Sequence, residues 1–261
     1  MSSPNKLLPI VISFFCSTLY AQNPNEDQSE WTVRLGSGVI ADSQIWQDTD
    51  TQVAMIPFFD ASIGNWHFSG DNPIAYQVSA NDWASFYVGL GLRNDGYDGY
   101  DFTLNNVTEA SIFKGYKTPD TEGVINYGTS FGWMTINASS DISNKSDSTT
   151  VEVTAELPLY ESATGFSVSV STSALWMDAN YVNYYYGISG NQVDNTVGRS
   201  FYDTNKAINY GVSINAMYLL NQHWMLLGEL SHSLLADEIS ESPLVGSDHQ
   251  DTLALLAIYQ F

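Results

Sequence analysis

The sequence predicts an all-β protein, a transmembrane antiparallel up-and-down β-barrel of 12 strands, with 10 strands as the alternative. Three observations predict it. Apolar and polar residues alternate with a period of two over segments of about ten residues, the length of a membrane-crossing strand. The polar faces of these segments consist of Ser, Gly, Asn and Thr with hardly a Lys, whereas the wet face of a soluble sheet carries charges of both signs. Aromatic residues lie near the segment ends, where a membrane interface holds them.

The alternation is clearest in residues 148–157, 164–176 and 207–219. Side chains of a strand point alternately to its two faces. In the last segment one face holds Ile208, Tyr210, Val212, Ile214, Ala216 and Tyr218, and the other holds Asn209, Gly211, Ser213 and Asn215. A β-sandwich would turn the apolar face inward, and a membrane barrel would turn it to lipid. The scarcity of Lys and the terminal aromatics favour the barrel.

Candidate strands cover most of the chain. They are 31–40, 51–61, 64–69, 73–79, 83–93, 107–115, 123–138, 148–157, 164–176, 181–188, 207–219, 222–234 and 250–261. Residues 221–223 form a tight turn, whereas 189–206 and 235–249 are long loops, as expected of barrels with short turns at one end. Segment 181–188 is also compatible with a loop that stays outside the wall or folds into the lumen, so both strand counts stay open.

The first 21 residues predict a cleaved signal peptide. Lys6 precedes an apolar run at 7–16, and Ala21 offers a small residue for cleavage. The run is too short to span a membrane as a helix. Cys16, the only cysteine, falls inside it, so the mature chain is expected to have neither disulfide nor thiol chemistry. The predicted division is signal peptide 1–21, polar lead-in 22–30 and barrel 31–261.

The chain is strongly acidic, with 29 Asp and Glu against 8 Lys and Arg and a formal net charge of −21. A protein that follows nucleic-acid phosphates needs a basic surface, so nucleic acid is excluded as a partner. No stretch approaches 18 consecutive apolar residues, which argues against a transmembrane helix. The sequence therefore predicts an exported chain that crosses a membrane with strands.

A Gly-x-Ser-x-Gly pattern at 128–132 has the spacing of a hydrolase nucleophile. That chemistry needs a strand-turn-helix elbow, but Ser130 lies in an alternating strand, so we interpret it as a small polar lining residue. The histidines show no metal-ligand spacing; they are His67, His223, His232 and His249. We predict no enzymatic activity, no metal and no cofactor. A barrel hydrolase whose Ser, His and carboxylates converge across strands is the least favoured alternative.

Two acidic loop segments could act outside the wall. Asp95, Asp98 and Asp101 lie three residues apart in a Gly-rich turn, where they could hold Ca²⁺ or the divalent ions that bridge lipopolysaccharide phosphates. The spacing is not that of an EF-hand, and a solvated loop tip is the preferred interpretation. The second segment could attract cationic ligands; its carboxylates are Asp237, Glu238, Glu241 and Asp248.

Charged residues are also expected to point into the barrel. They are Arg34, Arg93, Glu152, Glu156 and Glu229. Inside the lumen they could form a charge network that braces or plugs the barrel, or they could line a pore. Bracing is the preferred interpretation, because the lumen of a barrel with 10 or 12 strands is narrow.

The last third of the chain resembles the MipA/OmpV family of outer-membrane proteins. The motifs that carry the resemblance are YVNYYYGIS at 181–189, GRSFYD at 198–203, YLLNQHW at 218–224, SPLV at 242–245 and YQF at 259–261. Upstream, IPFFDASIGNWHFSG and ASFYVGLGLRNDGYD are also similar to the family. The resemblance implies an outer-membrane barrel of a Gram-negative cell, surrounded by lipid and lipopolysaccharide and without catalytic residues.

The resemblance also implies a structural role. The best-known member of the family is named for interacting with a murein lytic transglycosylase and is described as a scaffold that links it to a murein synthase. Other members are treated as adhesins, osmolarity-related proteins or antibiotic-associated proteins. We therefore expect a scaffold that docks murein hydrolase and synthase complexes. The alternatives are a small channel, a ligand-binding barrel, or an adhesin that acts through loops 189–206 and 235–249.

The chain ends in LALLAIYQF, with large or apolar side chains at every second position. These residues are expected to form the lipid-facing row of the closing strand, which pairs with the first strand and removes the edges of the sheet. They are Leu253, Leu255, Ala257, Tyr259 and Phe261. The resemblance implies that Tyr259 and Phe261 form the signal that the barrel-assembly machinery recognises.

Overall fold

The computed structural model describes residues 30–81, 83–97 and 110–261. Within these ranges twelve strands form a closed barrel. They are β1 (Thr32–Asp42), β2 (Gln52–Ile63), β3 (Trp66–Ser69), β4 (Ile74–Asn81), β5 (Ala84–Arg93), β6 (Glu122–Phe131), β7 (Met134–Asp141), β8 (Thr149–Glu161), β9 (Phe166–Met177), β10 (Ala207–Leu219), β11 (Trp224–Leu234) and β12 (His249–Gln260). The connections hold helices α1 (Ala179–Tyr186) and α2 (Asp237–Ser240) and short 3-10 turns at Ser111–Phe113, Gly190–Gln192 and Asn195–Val197.

Each strand pairs antiparallel with its neighbours in the chain, and β1 pairs with β12 to close the barrel. The predicted up-and-down barrel of 12 strands is confirmed, and the alternative of 10 is wrong. Among the described residues, no helix is both long enough and apolar enough to cross a membrane. The signal peptide at 1–21 and the lead-in at 22–30 lie outside the described ranges, apart from Glu30, and stay predictions.

Segment 123–138, predicted as one strand, forms two. The chain turns back at residues 132–133, between β6 and β7. Gly132 takes a φ of +56° there, a conformation that glycine adopts without a steric penalty. The alternation of side chains continues on both sides of this turn, so the sequence pattern does not mark it.

Two other predicted strands are wrong. Segment 181–188 lies mostly in helix α1, because its tyrosines pack inward at helical spacing. The described part of segment 107–115 holds the 3-10 turn at Ser111–Phe113, whose aromatic ring is buried among loop residues, and no strand. Residues 107–109 lie outside the described ranges. The division of segment 123–138 adds one strand to the predicted segments, and the loss of 181–188 and 107–115 removes two. The result is the twelve strands observed.

The apolar faces of the strands point away from the lumen. On β12, Leu253 and Leu255 are 47% and 58% exposed, whereas Ala254 between them is fully buried. On β10, Tyr210 and Ile214 are likewise exposed. This arrangement is the inverse of a soluble sandwich and fits a surface that faces lipid. The predicted lipid-facing row of the closing strand is therefore confirmed.

The two ends of the barrel differ. At one end, called here the short-turn end, the strands are joined by brief turns, and the chain terminus at Phe261 lies beside β1 through a hydrogen bond from its N–H to the Val33 carbonyl at 3.0 Å. The other end, called the long-loop end, carries the extended connections. These are residues 43–51, 94–121 (described outside 98–109), 142–148, 178–206 and 235–248.

The barrel and its loops contain two hydrophobic clusters. The first, the cap core, joins loops at the long-loop end and consists of Ile45, Trp46, Tyr97, Ala110, Ile112, Phe113, Met177, Tyr181, Val182, Tyr185, Tyr186, Ile188, Ala207, Ile239, Leu244 and Val245. The second, the apolar lumen wall, lies on β1, β2, β11 and β12 and consists of Ile40, Ala54, Ile56, Met225, Ala254, Leu256 and Ile258. The loops that form the first cluster are called the cap below.

Candidate functional site

Helix α1 forms in a tyrosine-rich segment because its first turn is capped and one of its faces is buried. The Asp178 carboxylate accepts a hydrogen bond from the Tyr181 N–H at 2.8 Å, which satisfies a donor that the first helical turn leaves without a partner. Tyr181, Val182, Tyr185 and Tyr186 are buried. Their i, i+1, i+4, i+5 spacing places them on one side of the helix.

Helix α1 crosses the long-loop end of the barrel. It follows β9, yet its tyrosines reach residues elsewhere in the ring. The Tyr186 ring stacks on Trp46, in the loop between β1 and β2, with centroids 5.6 Å apart. The Tyr185 hydroxyl donates a hydrogen bond to Glu122 on β6 at 2.6 Å. Since β1, β6 and β9 lie well apart in a ring of twelve strands, these contacts place the helix across the mouth of the barrel.

A buried ion pair lies beneath the helix. Nε of Arg93 on β5 is 2.9 Å from Oε2 of Glu122 on β6, and the two side chains are 7% and 0% exposed. Arg93 also donates to the hydroxyls of Ser139 and Ser148, and Ser146 donates to Oε1 of Glu122. Each buried charge thus has several hydrogen-bond partners, which burial of an ion pair requires.

A second buried carboxylate lies beside this pair. Asp95, just beyond β5, accepts a hydrogen bond from the Tyr181 hydroxyl at 2.7 Å. Burial raises the pKa of Asp95 above its ordinary value, and the Tyr181 hydrogen bond and the Arg93 charge oppose that rise. Burial also raises the pKa of Tyr181, so its phenol keeps the proton that it donates. The Arg93 guanidinium lies 5.2 Å from the centre of the Tyr181 ring, within cation–π range.

Further contacts tie the loops of the cap to one another. Tyr97 and Phe113 stack with their ring planes 10° apart. Arg199 is 2% exposed, and its guanidinium donates to the carbonyl of Ile112 in another loop. The Ser242 hydroxyl, in the loop after β11, donates to a carbonyl of helix α1 at 2.7 Å. The cap is therefore a packed unit with its own polar and apolar contacts.

The two predicted lumen arginines each have a carboxylate partner on a neighbouring strand. Arg93 pairs with Glu122, as described. Arg34 on β1 pairs with Asp60 on β2, with Nη2 2.7 Å from Oδ1 and both side chains buried. Each pair consists of direct cross-strand neighbours. Asp60 and Glu122 were missed from the sequence, although a correct strand register would have identified both.

The three predicted lumen glutamates lie on other strands, β8 and β11. Glu156 on β8 accepts a hydrogen bond from the Ser169 hydroxyl at 2.5 Å. Glu152, on the same strand, and Glu229 on β11 are half-buried. In the part of the chain that the structure describes, neither forms an ion pair with a Lys or Arg. The proposed bracing role of the whole group stays a prediction.

Ser130 of the Gly-x-Ser-x-Gly pattern and one of the histidines, His232, make ordinary polar contacts with adjacent strands. The Ser130 hydroxyl lies 3.3 Å from that of Thr135 on the adjacent strand. On the outer surface, His232 Nδ1 lies 2.7 Å from an Asp251 carboxylate oxygen. Over residues 30–81, 83–97 and 110–261, no group of three or more His, Cys, Asp or Glu could hold a metal ion. Of the three carboxylates in the Gly-rich turn, Asp98 and Asp101 lie outside these ranges.

Aromatic residues cluster at the short-turn end. The Tyr259 ring is stacked with the His223 ring at 5.5 Å and packs edge-on against Trp224 at 5.1 Å and Phe261 at 4.9 Å between centroids. A shallow depression of about 420 Å³ at this end is lined by Asn221, Gln222, His223, Trp224 and Tyr259. This end therefore presents aromatic and polar groups together.

Comparisons with known proteins place relatives along almost the whole chain. The family model of MltA-interacting protein MipA matches residues 35–261. A 24 kDa outer membrane protein of Pasteurella multocida is 25% identical over 241 residues, 87% of this chain and 90% of that protein. The MltA-interacting protein of Escherichia coli K12 is 22% identical over 254 residues, 93% and 96% of the two chains. A solved Pseudomonas aeruginosa FadL homologue covers 88% of this chain and 90% of its own at 9% identity and a TM-score of 0.41.

Proposed function

This chain belongs to the MltA-interacting protein MipA family, and on that premise we propose that it is a scaffold whose short-turn end docks murein hydrolases and synthases. The chain is an outer-membrane β-barrel, as its relatives and its topology agree. One relative is named for its interaction with MltA. We extend that interaction to this chain as part of the proposal. We also propose that the chain has no catalytic activity.

The folded cap supports a scaffold more strongly than any other feature. Helix α1 crosses the mouth, and the buried Arg93–Glu122 pair and the Tyr185 hydroxyl hold it to the wall. A conducting pore needs a continuous polar path, and a packed obstruction at one mouth opposes it. In this proposal the two buried arginine–carboxylate pairs brace the wall instead of lining a permeation path.

We assign the short-turn end to the periplasm, since outer-membrane barrels keep their short turns on that side. Murein enzymes work in the periplasm, so the docking surface has to be at this end. Trp133, in the turn between β6 and β7, is 62% exposed. Aromatic side chains of this kind are enriched in the centres of protein interfaces.

Site-specific photo-crosslinking in intact cells tests the docking. A photoreactive amino acid at Gln222, exposed in the turn before β11, is expected to crosslink to a lytic transglycosylase or a murein synthase. The matched control carries it at Asn195, exposed on the cap, and is expected to capture neither enzyme. If a correctly folded barrel with the Gln222 probe captures no murein enzyme, the docking proposal is wrong.

A small channel or ligand-binding barrel is the second candidate. Every side chain of β7 is partly accessible. Those that face the lumen favour solvent space next to this strand. Planar-bilayer recording of the wild-type protein distinguishes the two candidates. A steady conductance would support the channel, and a silent bilayer would remove it.

An adhesin that acts through loops 189–206 and 235–249 is tested by loop deletion. These loops also contribute buried residues to the cap, among them Arg199, Ile239 and Leu244. A deletion therefore removes cap packing as well as surface, so the assay needs proof that the barrel still shows heat-modifiable folding. Retained surface binding after both deletions would contradict the adhesin.

A further inference from the structure

The lumen carries more acidic than basic groups. The described strands carry two Arg and no Lys, and each Arg already has a carboxylate partner; the pairs are Arg34 with Asp60 and Arg93 with Glu122. Three other glutamates alternate with exposed, outward-facing residues and so face the lumen: Glu152, Glu156 and Glu229. Within the described chain no Lys or Arg forms an ion pair with Glu152 or Glu229. Glu152 and Glu229 are therefore acidic groups of the lumen without a Lys or Arg partner in the described chain.

Glu152, Thr154 and Glu156 form one row on the lumen face of β8. Val153 and Leu157, which alternate with them, are 38% and 53% exposed on the outer face. Alternate residues of a strand are about 6.6 Å apart, so both glutamate side chains can lean towards Thr154.

Thr154 is the unusual member of this row. It is 3% exposed, and its hydroxyl has no hydrogen-bond partner among the described residues. A buried hydroxyl without a partner costs free energy. Its position between two carboxylates, in a row that faces the lumen, points to a bound group that would supply the missing hydrogen bond.

The lumen side opposite this row is apolar. In a ring of twelve strands, β2 lies across from β8, and β2 contributes to the apolar lumen wall. Phe58, Met217 and Leu227 pack against that wall and are themselves only half-buried. Part of their surface is therefore available to a molecule in the lumen. The interior offers hydrogen-bond acceptors on one side and hydrocarbon on the other.

We propose that the lumen binds a small organic cation that has a primary ammonium group and a compact apolar body. An ammonium group has three N–H donors and no acceptor, which matches the two carboxylates and the hydroxyl of the β8 row. Hydrogen bonds between such charged groups are stronger than neutral ones. The apolar body of the ligand lies against Phe58 and Leu227. This site does not depend on docking at the short-turn end.

Calorimetric titration of the wild-type barrel in lipid nanodiscs tests the ligand class. Hexylamine, hexanol and hexanoate share one alkyl chain and differ in the head group, and empty nanodiscs supply the blank for partition into lipid. Hexylamine is expected to bind saturably, at least about tenfold more tightly than either analogue, since only it can donate charge-assisted hydrogen bonds. Equal affinity for hexanol, or no saturable binding of hexylamine, overturns the proposal.

Substitutions in the row test the site. Glu152→Gln and Thr154→Val are each expected to weaken hexylamine binding by about tenfold, and Thr154→Ser is expected to keep it. Glu161→Gln, at the exposed end of the same strand, is the matched control and should bind as the wild type does. Heat-modifiable migration verifies each barrel, and if one variant does not fold, the other decides. Unchanged affinity in the folded row variants overturns the site.

Discussion

The Tyr185 hydroxyl donates a 2.6 Å hydrogen bond to Oε2 of Glu122, which joins helix α1 to the barrel wall across 63 positions of sequence. The same carboxylate oxygen lies 2.9 Å from Nε of Arg93. One buried side chain thus holds two strands of the wall together and fixes the cap to them. Changes at this carboxylate should affect the cap before they affect the barrel.

Tyr185→Phe removes the hydroxyl and keeps the ring in the cap core. Glu122 then loses a hydrogen-bond donor in a buried site, a loss that costs about 1–3 kcal/mol. We expect faster hydrogen exchange of the α1 amides, measured by mass spectrometry. Tyr184→Phe is the control, because that hydroxyl donates to the Asp120 carbonyl at an exposed position. Equal exchange in the two variants would contradict the role assigned to Tyr185.

Arg93→Ala leaves the Glu122 carboxylate buried without its ion-pair partner. Breaking a buried pair from one side costs about 3–5 kcal/mol, so the temperature at which the barrel loses its heat-modifiable form should fall clearly. Lys145→Ala breaks an exposed pair with Asp120, for which the expected cost is at most about 1 kcal/mol. The prediction fails if both variants unfold at the same temperature.

The stability of the cap should fall as the pH rises through the titration of Asp95. Burial raises the pKa of Asp95 above its ordinary value of 3.8, with Glu122 adding to the rise and Tyr181 and Arg93 opposing it. A carboxyl group with a raised pKa in the folded state stabilises while it is protonated: the contribution is complete below the ordinary pKa and is lost as the pH passes the raised one.

Asp95→Asn cannot ionise and can still accept the Tyr181 hydrogen bond. Its α1 amides should therefore exchange more slowly than those of the wild type at neutral pH, after correction for the intrinsic exchange rate. The difference should vanish in acid, where the wild-type carboxyl is protonated. A variant that is less protected at neutral pH would mean that the ionised carboxylate stabilises the cap through Arg93.

Gly38→Ala should weaken the seam between β1 and β12. A Cβ atom at Gly38 would overlap the Leu255 carbonyl oxygen and come within 2.7 Å of the Leu256 side chain. Forcing extra atoms into packed structure costs about 1–3 kcal/mol, which thermal unfolding in detergent can measure. At Gly123 the nearest atom to a new Cβ is 3.7 Å away, on Ser143. Gly123→Ala is therefore the control, and equal destabilisation of both variants would contradict the seam argument.

Deletion of Phe261 should impair insertion into the outer membrane. Its N–H bonds to β1 and its ring packs on Tyr259, so the deletion removes both a seam contact and the predicted assembly signal. Phe261→Tyr keeps the aromatic ring and is expected to insert normally. The measurement is the amount of heat-modifiable barrel in the membrane fraction, and a normal amount from the deletion variant would refute the prediction.

Much of the wall could be predicted from the sequence. Residues such as Tyr210 and Leu255 alternate with small or buried neighbours, and alternation follows directly from the geometry of a strand. The cap could not be predicted in this way. Its residues pack through contacts such as Tyr186 on Trp46, which are far apart in sequence, so no local period records them.

The charged residues of the lumen could be predicted only in part, because their contacts also join segments that are far apart in sequence. Arg34 and Arg93 could be placed in the lumen from their own strands. To identify their partners Asp60 and Glu122, the register between neighbouring strands must be known. A shift of one residue in that register would turn these side chains to the other face of the sheet. Thr154 carries no sequence signal, since its importance rests on the burial of a hydroxyl without a partner.

The sequence by itself determined the barrel, its closing strand and its family, because strand periodicity and motif order are local properties of the chain. The tertiary structure alone decided that 181–188 is mostly helix, that this helix crosses the mouth, and which carboxylates neutralise the two arginines. These features depend on contacts between distant segments, where the free energy of burying tyrosines and pairing charges outweighs the local preference of the backbone.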